Sequence, residues 1–241
     1  MTSNNQSIFQ AEREKSGIDA DKLAEVVFGS RKRLDNFLKI LKIVQDKMEL
    51  TPDIFEFSRF DLMTEVIKKT VKFRSEYKIN HLTGDFSAEI ASGPPTHMTG
   101  SVGLMMAAHL INVMGNEGQQ KAWLPSIINN VWNTCYLQTE LSHGTDFNSV
   151  KTTVTFDAKT QEFVVNTPSL DAMKWWPGDL SLFSSHGLLM GQLYSNGVCY
   201  GVAPFFIQIR DTETHKLLPG LECGDIGPKL GYGSKDNGYL R

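Results

Sequence analysis

Residues 188–209 read LLMGQLYSNGVCYGVAPFFIQI, and this stretch decides the fold of the second half of the chain. Two apolar runs, Leu188 to Tyr194 and Val198 to Ile209, flank the sequence Ser195-Asn196-Gly197. Asn-Gly between two apolar runs is the strongest short-range signal for a β-hairpin, because both residues readily adopt the positive φ angles of a two-residue turn. The stretch therefore predicts two antiparallel strands joined by a tight turn.

A second strand pair is predicted just upstream of this hairpin. Apolar residues and threonine occupy alternate positions from Val150 to Phe156, which is the period of a half-buried strand. Residues 157–160 then turn the chain into another apolar run, Phe163 to Thr167. Because the hydrophobic period is two beyond about Asn133, we expect residues 134–241 to form one β-domain.

The first half of the chain has the period of α-helices instead. Helices are predicted from Asp21 to Leu50, from Asp61 to about Phe73 and from Val102 to Met114, where Gly115 is well placed to end the third. The order predicts an α+β fold, in which an N-terminal helical domain of residues 1–133 precedes an antiparallel, β-barrel-like middle domain of residues 134–241. The Gly/Pro-rich stretch from Leu218 to Gly233 should lead into a further strand, so we expect this middle domain to be incomplete.

Composition excludes several classes of function. The 24 Lys and Arg residues against 27 Asp and Glu give a formal net charge of −3, which provides no general attraction for nucleic acid or anionic lipid. The longest apolar run, Gly103 to Met114, is too short to span a bilayer. The three cysteines are too widely spaced for a disulfide framework, and the histidines show no metal-ligand spacing, so no metal site is expected.

Two polar clusters are candidates for a ligand site. They are the stretch from Gln138 to Thr145 and the stretch from Lys174 to Gly178, which contains Trp-Trp-Pro-Gly. Hydroxyls, glycine N–H groups and flat aromatic faces are what a protein needs to hold a planar, hydrogen-bonding ring such as a flavin. From the pattern alone the signal is weak, because threonine-rich turns and tryptophan pairs are usually structural.

Several motifs occur in a specific order between Gly115 and Leu240. They are Gly115–Pro125, Gln138–Thr145, Gln161–Phe163, Lys174–Gly178, Cys199–Gly201, Gly224–Tyr232 and Asp236–Leu240. In this order they resemble the acyl-CoA oxidase family of fatty-acid β-oxidation. The helical first half resembles the family more loosely, with Phe57-Ser58-Arg59 in a plausible place.

The resemblance implies an acyl-CoA-dehydrogenase-like architecture, with C-terminal helical domains after the β-domain, and we expect this chain to be truncated before them. It implies FAD as cofactor, with flavin contacts at Thr139 and Gly178, and a fatty acyl-CoA oxidised to the trans-2-enoyl-CoA while oxygen becomes hydrogen peroxide. It further implies a homodimer at full length and a peroxisomal location, although no address is visible in the chain. The family's catalytic base is a glutamate of the C-terminal region, so Glu140 and Glu162 are not assigned that role.

The sequence departs from the family at two places beside the expected flavin edge. Lys151 replaces a carboxylate that is common there, and Asp179 to Leu182 replace a glycine-rich loop. Two hypotheses follow: an acyl-CoA oxidase whose fragment lacks the catalytic base, or an oxidase-like binding or scaffold protein without chemistry. An acyl-CoA dehydrogenase is disfavoured by the Trp-Trp-Pro-Gly motif.

Overall fold

The computed structural model describes residues 3–47, 56–77 and 101–241. The chain divides into two compact units, Met1–Glu49 and Leu50–Arg241. The boundary between residues 49 and 50 separates two groups of residues that contact mainly each other. The boundary predicted at residue 133 separates helices from strands instead. The first strand does begin at Thr134, and the assignment of residues 1–133 and 134–241 as domains stays a prediction.

The first unit contains helices α1 (Ser3–Lys15), α2 (Ala20–Phe28) and α3 (Arg31–Lys47). The single helix predicted from Asp21 to Leu50 is therefore wrong in its middle, and its end lies outside the described residues. Gly29 ends α2 in a left-handed conformation, at φ +79, and its N–H bonds back to the carbonyl of Val26. Because glycine reaches this conformation without steric cost, it terminates the helix although the apolar period continues beyond it.

The second unit begins with helices α4 (Arg59–Tyr77), α5 (Ser101–Met114) and α6 (Glu117–Ile128). The first two confirm the helices predicted around residues 61–73 and 102–114. Gly115 ends α5 as expected, and its N–H donates to the carbonyl of Ile111. Asn116 and Gln119 then form a reciprocal capping box that starts α6.

Eight strands follow the helices. They are β1 (Thr134–Leu137), β2 (Thr153–Asp157), β3 (Glu162–Asn166), β4 (Lys174–Gly178), β5 (His186–Ser195), β6 (Val198–Gln208), β7 (Cys223–Asp225) and β8 (Asn237–Leu240). Both predicted hairpins, β2–β3 and β5–β6, are confirmed. Asn196 and Gly197 turn the second hairpin at φ +50 and +77, the positive angles that the Asn-Gly signal predicts.

The strands form two open sheets, so the expectation of a barrel-like domain is wrong. The larger sheet joins β1, β5, β2, β3 and β6, and the smaller has the order β4–β8–β7. The long strand β5 pairs with β6 on one edge, while β1 and β2 share its other edge and run parallel to it. The purely antiparallel pattern is therefore also wrong, because periodicity along a strand does not specify the direction of its neighbour.

Two apolar cores hold these layers together. The first lies between the sheets and includes Leu137, Val154 and Leu189. The second packs α5 and α6 against the larger sheet. Gly103 of α5 permits this close approach, because a Cβ there would lie 1.8 Å from the carbonyl oxygen of Thr134 in β1. Among the described residues, no helix is both long and apolar enough to cross a membrane.

Candidate functional site

Strand β4 carries a bulge at the Trp-Trp-Pro-Gly motif. Trp175 pairs with Tyr239 and Gly178 with Asn237, so β4 has one more residue than β8 between these two pairs. Trp176 lies in the bulge at φ +83 and is 51% exposed. A positive φ is unusual for a bulky residue, and strained backbone of this kind concentrates at functional sites. The bulge is therefore the first structural indication of a site.

Thr139 lies beside the same strand. Its carbonyl oxygen accepts a hydrogen bond from the N–H of Trp175 at 3.0 Å. Within the described part of the chain, neither its amide nor its hydroxyl donates a hydrogen bond. Gly178 stands three residues along β4 from Trp175, a distance of about 10 Å at the rise of a strand. Along β4, Trp176 thus lies between the residue that bonds to Thr139 and Gly178.

Glu140, next to Thr139, is buried within a set of hydrogen-bond donors. Its carboxylate accepts from the N–H of Lys151 at 2.7 Å, from the N–H and hydroxyl of Thr152 at 2.9 and 2.6 Å, and contacts Nε2 of His143 at 3.0 Å. Burial alone would raise its pKa, but the Thr152 hydroxyl, the Lys151 amide and the Lys174 ammonium together lower the pKa of Glu140. This carboxylate is held ionised and has no access to a substrate.

Lys174, at the start of β4, completes this arrangement. Its ammonium lies 3.0 Å from Glu140 and also donates to the carbonyl oxygens of Gln138 and Met190 at 3.1 and 2.8 Å. The side chain is 1% exposed. Burial lowers the pKa of Lys174, and the neighbouring Glu140 opposes that change. Because the ammonium fills its three donor positions, Lys174 fixes the Thr139 segment against β4 and β5.

The loop after Gly178 is held by two buried side chains that are distant in sequence. The Asp236 carboxylate accepts hydrogen bonds from three consecutive N–H groups, those of Ser181, Leu182 and Phe183. The Arg210 guanidinium donates to carbonyl oxygens on the same loop. Burial raises the pKa of the Asp236 carboxyl. The loop that departs from the family is therefore held through its N–H groups by Asp236 and through its carbonyl groups by Arg210.

The two charged residues at which the sequence departs from the family, Asp179 and Lys151, each form an ion pair. Asp179, at φ +68, forms a buried ion pair with Lys235, with 3.3 Å between Nζ and Oδ1. The side chain of Lys151 instead pairs with Asp171 at the surface, where both groups are nearly half exposed. The Lys151 ammonium is thus paired at the surface, whereas the charges of Asp179 and Lys235 lie next to Gly178.

His186 is buried at the start of β5. Its ring stacks between Trp132 and Phe206, with centroid distances of 4.3 and 5.4 Å, and its Nδ1 lies 3.0 Å from the hydroxyl of Ser185. Burial lowers the pKa of His186 from 6.5 to about 4. The ring is therefore neutral near pH 7 and joins the helices to the sheet.

These positions fit the flavin that the resemblance implies. Thr139 offers donors without partners, and Trp176 offers an exposed aromatic face. At Gly178 a Cβ would lie 3.3 Å from Cε of Lys235, so a side chain at this position would have to displace that of Lys235. A planar ring with a hydrogen-bonding edge needs this combination of donors and flat apolar surface.

Sequence reasoning missed the side chains that support this site. Lys174 and Asp236 lie within motifs that carry the resemblance, but the motifs indicate no role for either, and Arg210 and Lys235 lie outside these motifs. Arg210 could have been noticed as a charge that directly follows a long apolar strand, because buried charges need specific partners. Nothing in the local pattern identifies those partners.

Comparisons with known proteins agree with the fold and the motifs. Residues 19–130 match the family described as Acyl-coenzyme A oxidase N-terminal. The peroxisomal acyl-coenzyme A oxidase 1 of Phascolarctos cinereus is 33% identical over 238 residues, which is 95% of this chain and 35% of that protein. The chain thus spans about a third of the length of this relative.

Solved structures show the same correspondence. An acyl-CoA oxidase from tomato, Lycopersicon esculentum, matches with a TM-score of 0.85 at 33% identity, over 96% of this chain and 36% of that one. Acyl-CoA oxidase-1 of Caenorhabditis elegans, solved in complex with FAD and ATP, matches with a TM-score of 0.80 at 31% identity, over 92% and 35%. The chain belongs to the acyl-CoA oxidase family and corresponds to the N-terminal and middle portion of its members.

Proposed function

We propose that this chain is the N-terminal and middle part of a flavin-dependent acyl-CoA oxidase of fatty-acid β-oxidation. The whole reaction converts a fatty acyl-CoA and oxygen into the trans-2-enoyl-CoA and hydrogen peroxide. The proposal is supported by a relative whose structure was solved with FAD and which matches 92% of this chain. The observation that carries it is the strained bulge in β4, beside which Thr139 has an amide and a hydroxyl that donate no hydrogen bond within the described part of the chain.

In this proposal Thr139 and Gly178 hold FAD. The amide and hydroxyl of Thr139 would donate hydrogen bonds to the flavin, the Gly178 backbone would contact it, and Trp176 would offer an apolar surface. When bound, FAD would supply the acceptor for the hydride of the substrate's β carbon. The chain's own contribution is to bind and orient the ring and to exclude water from one side of it.

The proton of the α carbon must be taken by a group outside the described site. Glu140 is buried and bonded to Lys174, and Glu162 is exposed on β3, so neither is a suitable base. The resemblance assigns this role to a glutamate of the C-terminal region, which the matched third of the relatives does not include. We therefore expect this chain by itself not to oxidise acyl-CoA. The peroxisomal location and homodimeric state of the longer protein are extended from the family in the same way.

A chimera tests this proposal. In the tomato oxidase, the aligned third is replaced by residues 1–241 of this chain, and bound FAD and peroxide release with a fatty acyl-CoA are measured. We expect the chimera to retain both, and the same chimera with Gly178→Val to lose most of its FAD. A soluble, monodisperse chimera that binds no flavin would contradict the proposal and favour the scaffold hypothesis.

A further inference from the structure

The loop from Asp179 to Ser184 connects Gly178 to the segment that begins β5. Its first N–H, that of Asp179, donates to the backbone carbonyl of Asp236 at 2.6 Å, and its last, that of Ser184, donates to the carbonyl of Asp179 at 2.7 Å. The loop therefore closes on itself directly after the residue proposed to contact flavin. Any change in its shape is transmitted to Gly178 through a single peptide bond.

The Asp236 carboxylate occupies one side of this loop. It accepts from the N–H groups of Ser181, Leu182 and Phe183 at 3.0, 2.9 and 3.2 Å, and from the hydroxyl of Ser181. Consecutive N–H groups that converge on one anion form a concave backbone site. Here the anion is part of the protein, and Asp236 is completely buried.

The Arg210 guanidinium occupies the other side. It donates to the carbonyl oxygens of Leu180 at 3.0 Å, Ser181 at 2.7 Å and Ser184 at 2.6 Å. Arg210 is 5% exposed. The planar fork of an arginine fixes the relative positions of the carbonyls that it bonds. The loop is thus bonded through its N–H groups from one direction and its carbonyls from another.

Neither charge belongs to an ion pair in the part of the chain that the structure describes. Burying a charge without an opposite charge is expensive, and apolar side chains would stabilise a core at lower cost. Stability alone therefore does not explain why a carboxylate and a guanidinium stand here. Asp236 and Arg210 instead fix the conformation of the loop, which includes the positive φ of Asp179.

We propose that Asp236 and Arg210 are positioning residues, which fix the loop from Asp179 to Ser184 and thereby hold the Gly178 backbone in the conformation that binds flavin. The inference rests on the proposed function. It assigns these two residues no contact with flavin or substrate.

The test uses the full 241-residue chain, labelled with ¹⁵N, and two measurements. Amide hydrogen exchange reports the order of the loop without ligand, and titration with millimolar FAD reports shifts at Gly178 and Thr139. The variants are Asp236→Asn, Arg210→Lys and the milder Ser181→Ala, which removes only one hydroxyl contact. Ile127→Ala, in the core between helices and sheet, is the control for a general loss of stability.

We expect the amides of the loop to exchange about ten-fold faster in Asp236→Asn and Arg210→Lys, because their opening becomes local. The FAD shift at Gly178 should shrink in these variants while that at Thr139 persists, and Ser181→Ala should show a smaller change of the same kind. Ile127→Ala should keep both shifts. If the wild-type chain responds to FAD at both positions and the variants respond equally, the inference is wrong and the proposed function stands. If FAD shifts neither position in the wild-type chain, bound FAD is compared in the chimera carrying each substitution, and equal retention in Asp236→Asn, Arg210→Lys and Ile127→Ala would overturn the inference while the proposed function stands.

Discussion

The two ends of β4 fix their neighbouring backbone in different ways. At Lys174 a cation and an anion are in direct contact, and Glu140 and Lys174 neutralise each other within a set of hydrogen bonds. At Gly178 the buried anion Asp236 and cation Arg210 each bind backbone groups of one loop instead. The comparison shows that buried charge can either join two strands or set the shape of a loop, and that the first arrangement should contribute more to stability.

The largest effect is expected from breaking the ion pair. In Lys174→Met the Glu140 carboxylate stays buried without its cation, and we expect the free energy of unfolding in urea to fall by about 3–5 kcal/mol. The carbonyls of Gln138 and Met190 also lose a donor. The double variant Lys174→Met/Glu140→Gln should recover part of this loss, and a loss below about 1 kcal/mol in the single variant would show that the pair is not buried in solution.

A somewhat smaller effect is expected beside Gly178. Asp179→Gly relieves the cost of a positive φ, about 1 kcal/mol, but leaves the Lys235 ammonium without its buried carboxylate, so we expect a net loss of about 2–4 kcal/mol. Asp179→Gly/Lys235→Met removes both charges and should be more stable than the single variant. Thermal and urea unfolding of the wild-type chain, Asp179→Gly, Lys235→Met and the double variant gives the coupling between the two sites, and strictly additive effects would contradict the ion pair.

Acidification should change the contributions of Glu140 and Asp236, at the two ends of β4, to the free energy of unfolding in opposite directions. The pKa of Glu140 is lowered, so its stabilising contribution is lost as the pH falls through that lowered value. The pKa of Asp236 is raised, so protonation of the folded state relieves a penalty as the pH falls through that raised value toward 3.8.

Unfolding curves between pH 7 and acid check this difference. The advantage of the wild-type chain over Glu140→Gln should shrink on acidification, whereas its advantage over Asp236→Asn should grow. His186 destabilises all three proteins alike, since its pKa of about 4 in the folded state lies below 6.5. Stability is therefore lost as the pH falls from 6.5 toward 4 in each, and only the differences between the proteins are informative. Parallel curves for the two variants would contradict the comparison.

The smallest effect is expected at the surface. Lys151→Met removes an exposed ion pair with Asp171 but keeps the Lys151 amide that bonds Glu140, so the free energy of unfolding should change by less than about 1 kcal/mol. It makes the same substitution as Lys174→Met and is therefore its matched control. A loss as large as that of Lys174→Met would mean that methionine at either position, rather than the buried pair, causes the effect.

The sequence predicted the elements of this fold better than their arrangement. The Asn196-Gly197 turn and the helix ending at Gly115 depend on local conformation, and both are confirmed. The break at Gly29 was missed because the apolar period runs through it. The parallel pairing of β1 and β2 with β5 depends on contacts between distant residues, which no period along the chain encodes.

The candidate site shows the same limit. The flavin contacts at Thr139 and Gly178 are implied by the resemblance of their motifs to the family, and they stay a prediction. Asp236 and Arg210 act on a loop that is 26 to 55 residues away from them in sequence. A buried charge that bonds backbone groups leaves no pattern of side-chain types to recognise, so only the folded structure reveals it.

The β5–β6 hairpin also makes the protein suitable for selective chemical labelling. Cys199 is exposed two residues beyond the turn, whereas Cys135 is buried and Cys223 is partly buried. Burial raises the pKa of both Cys135 and Cys223, so few of their thiols are in the reactive thiolate form near neutral pH. A maleimide dye added to the native chain should therefore attach at Cys199, and a fluorophore placed there would report on the hairpin without any engineered cysteine.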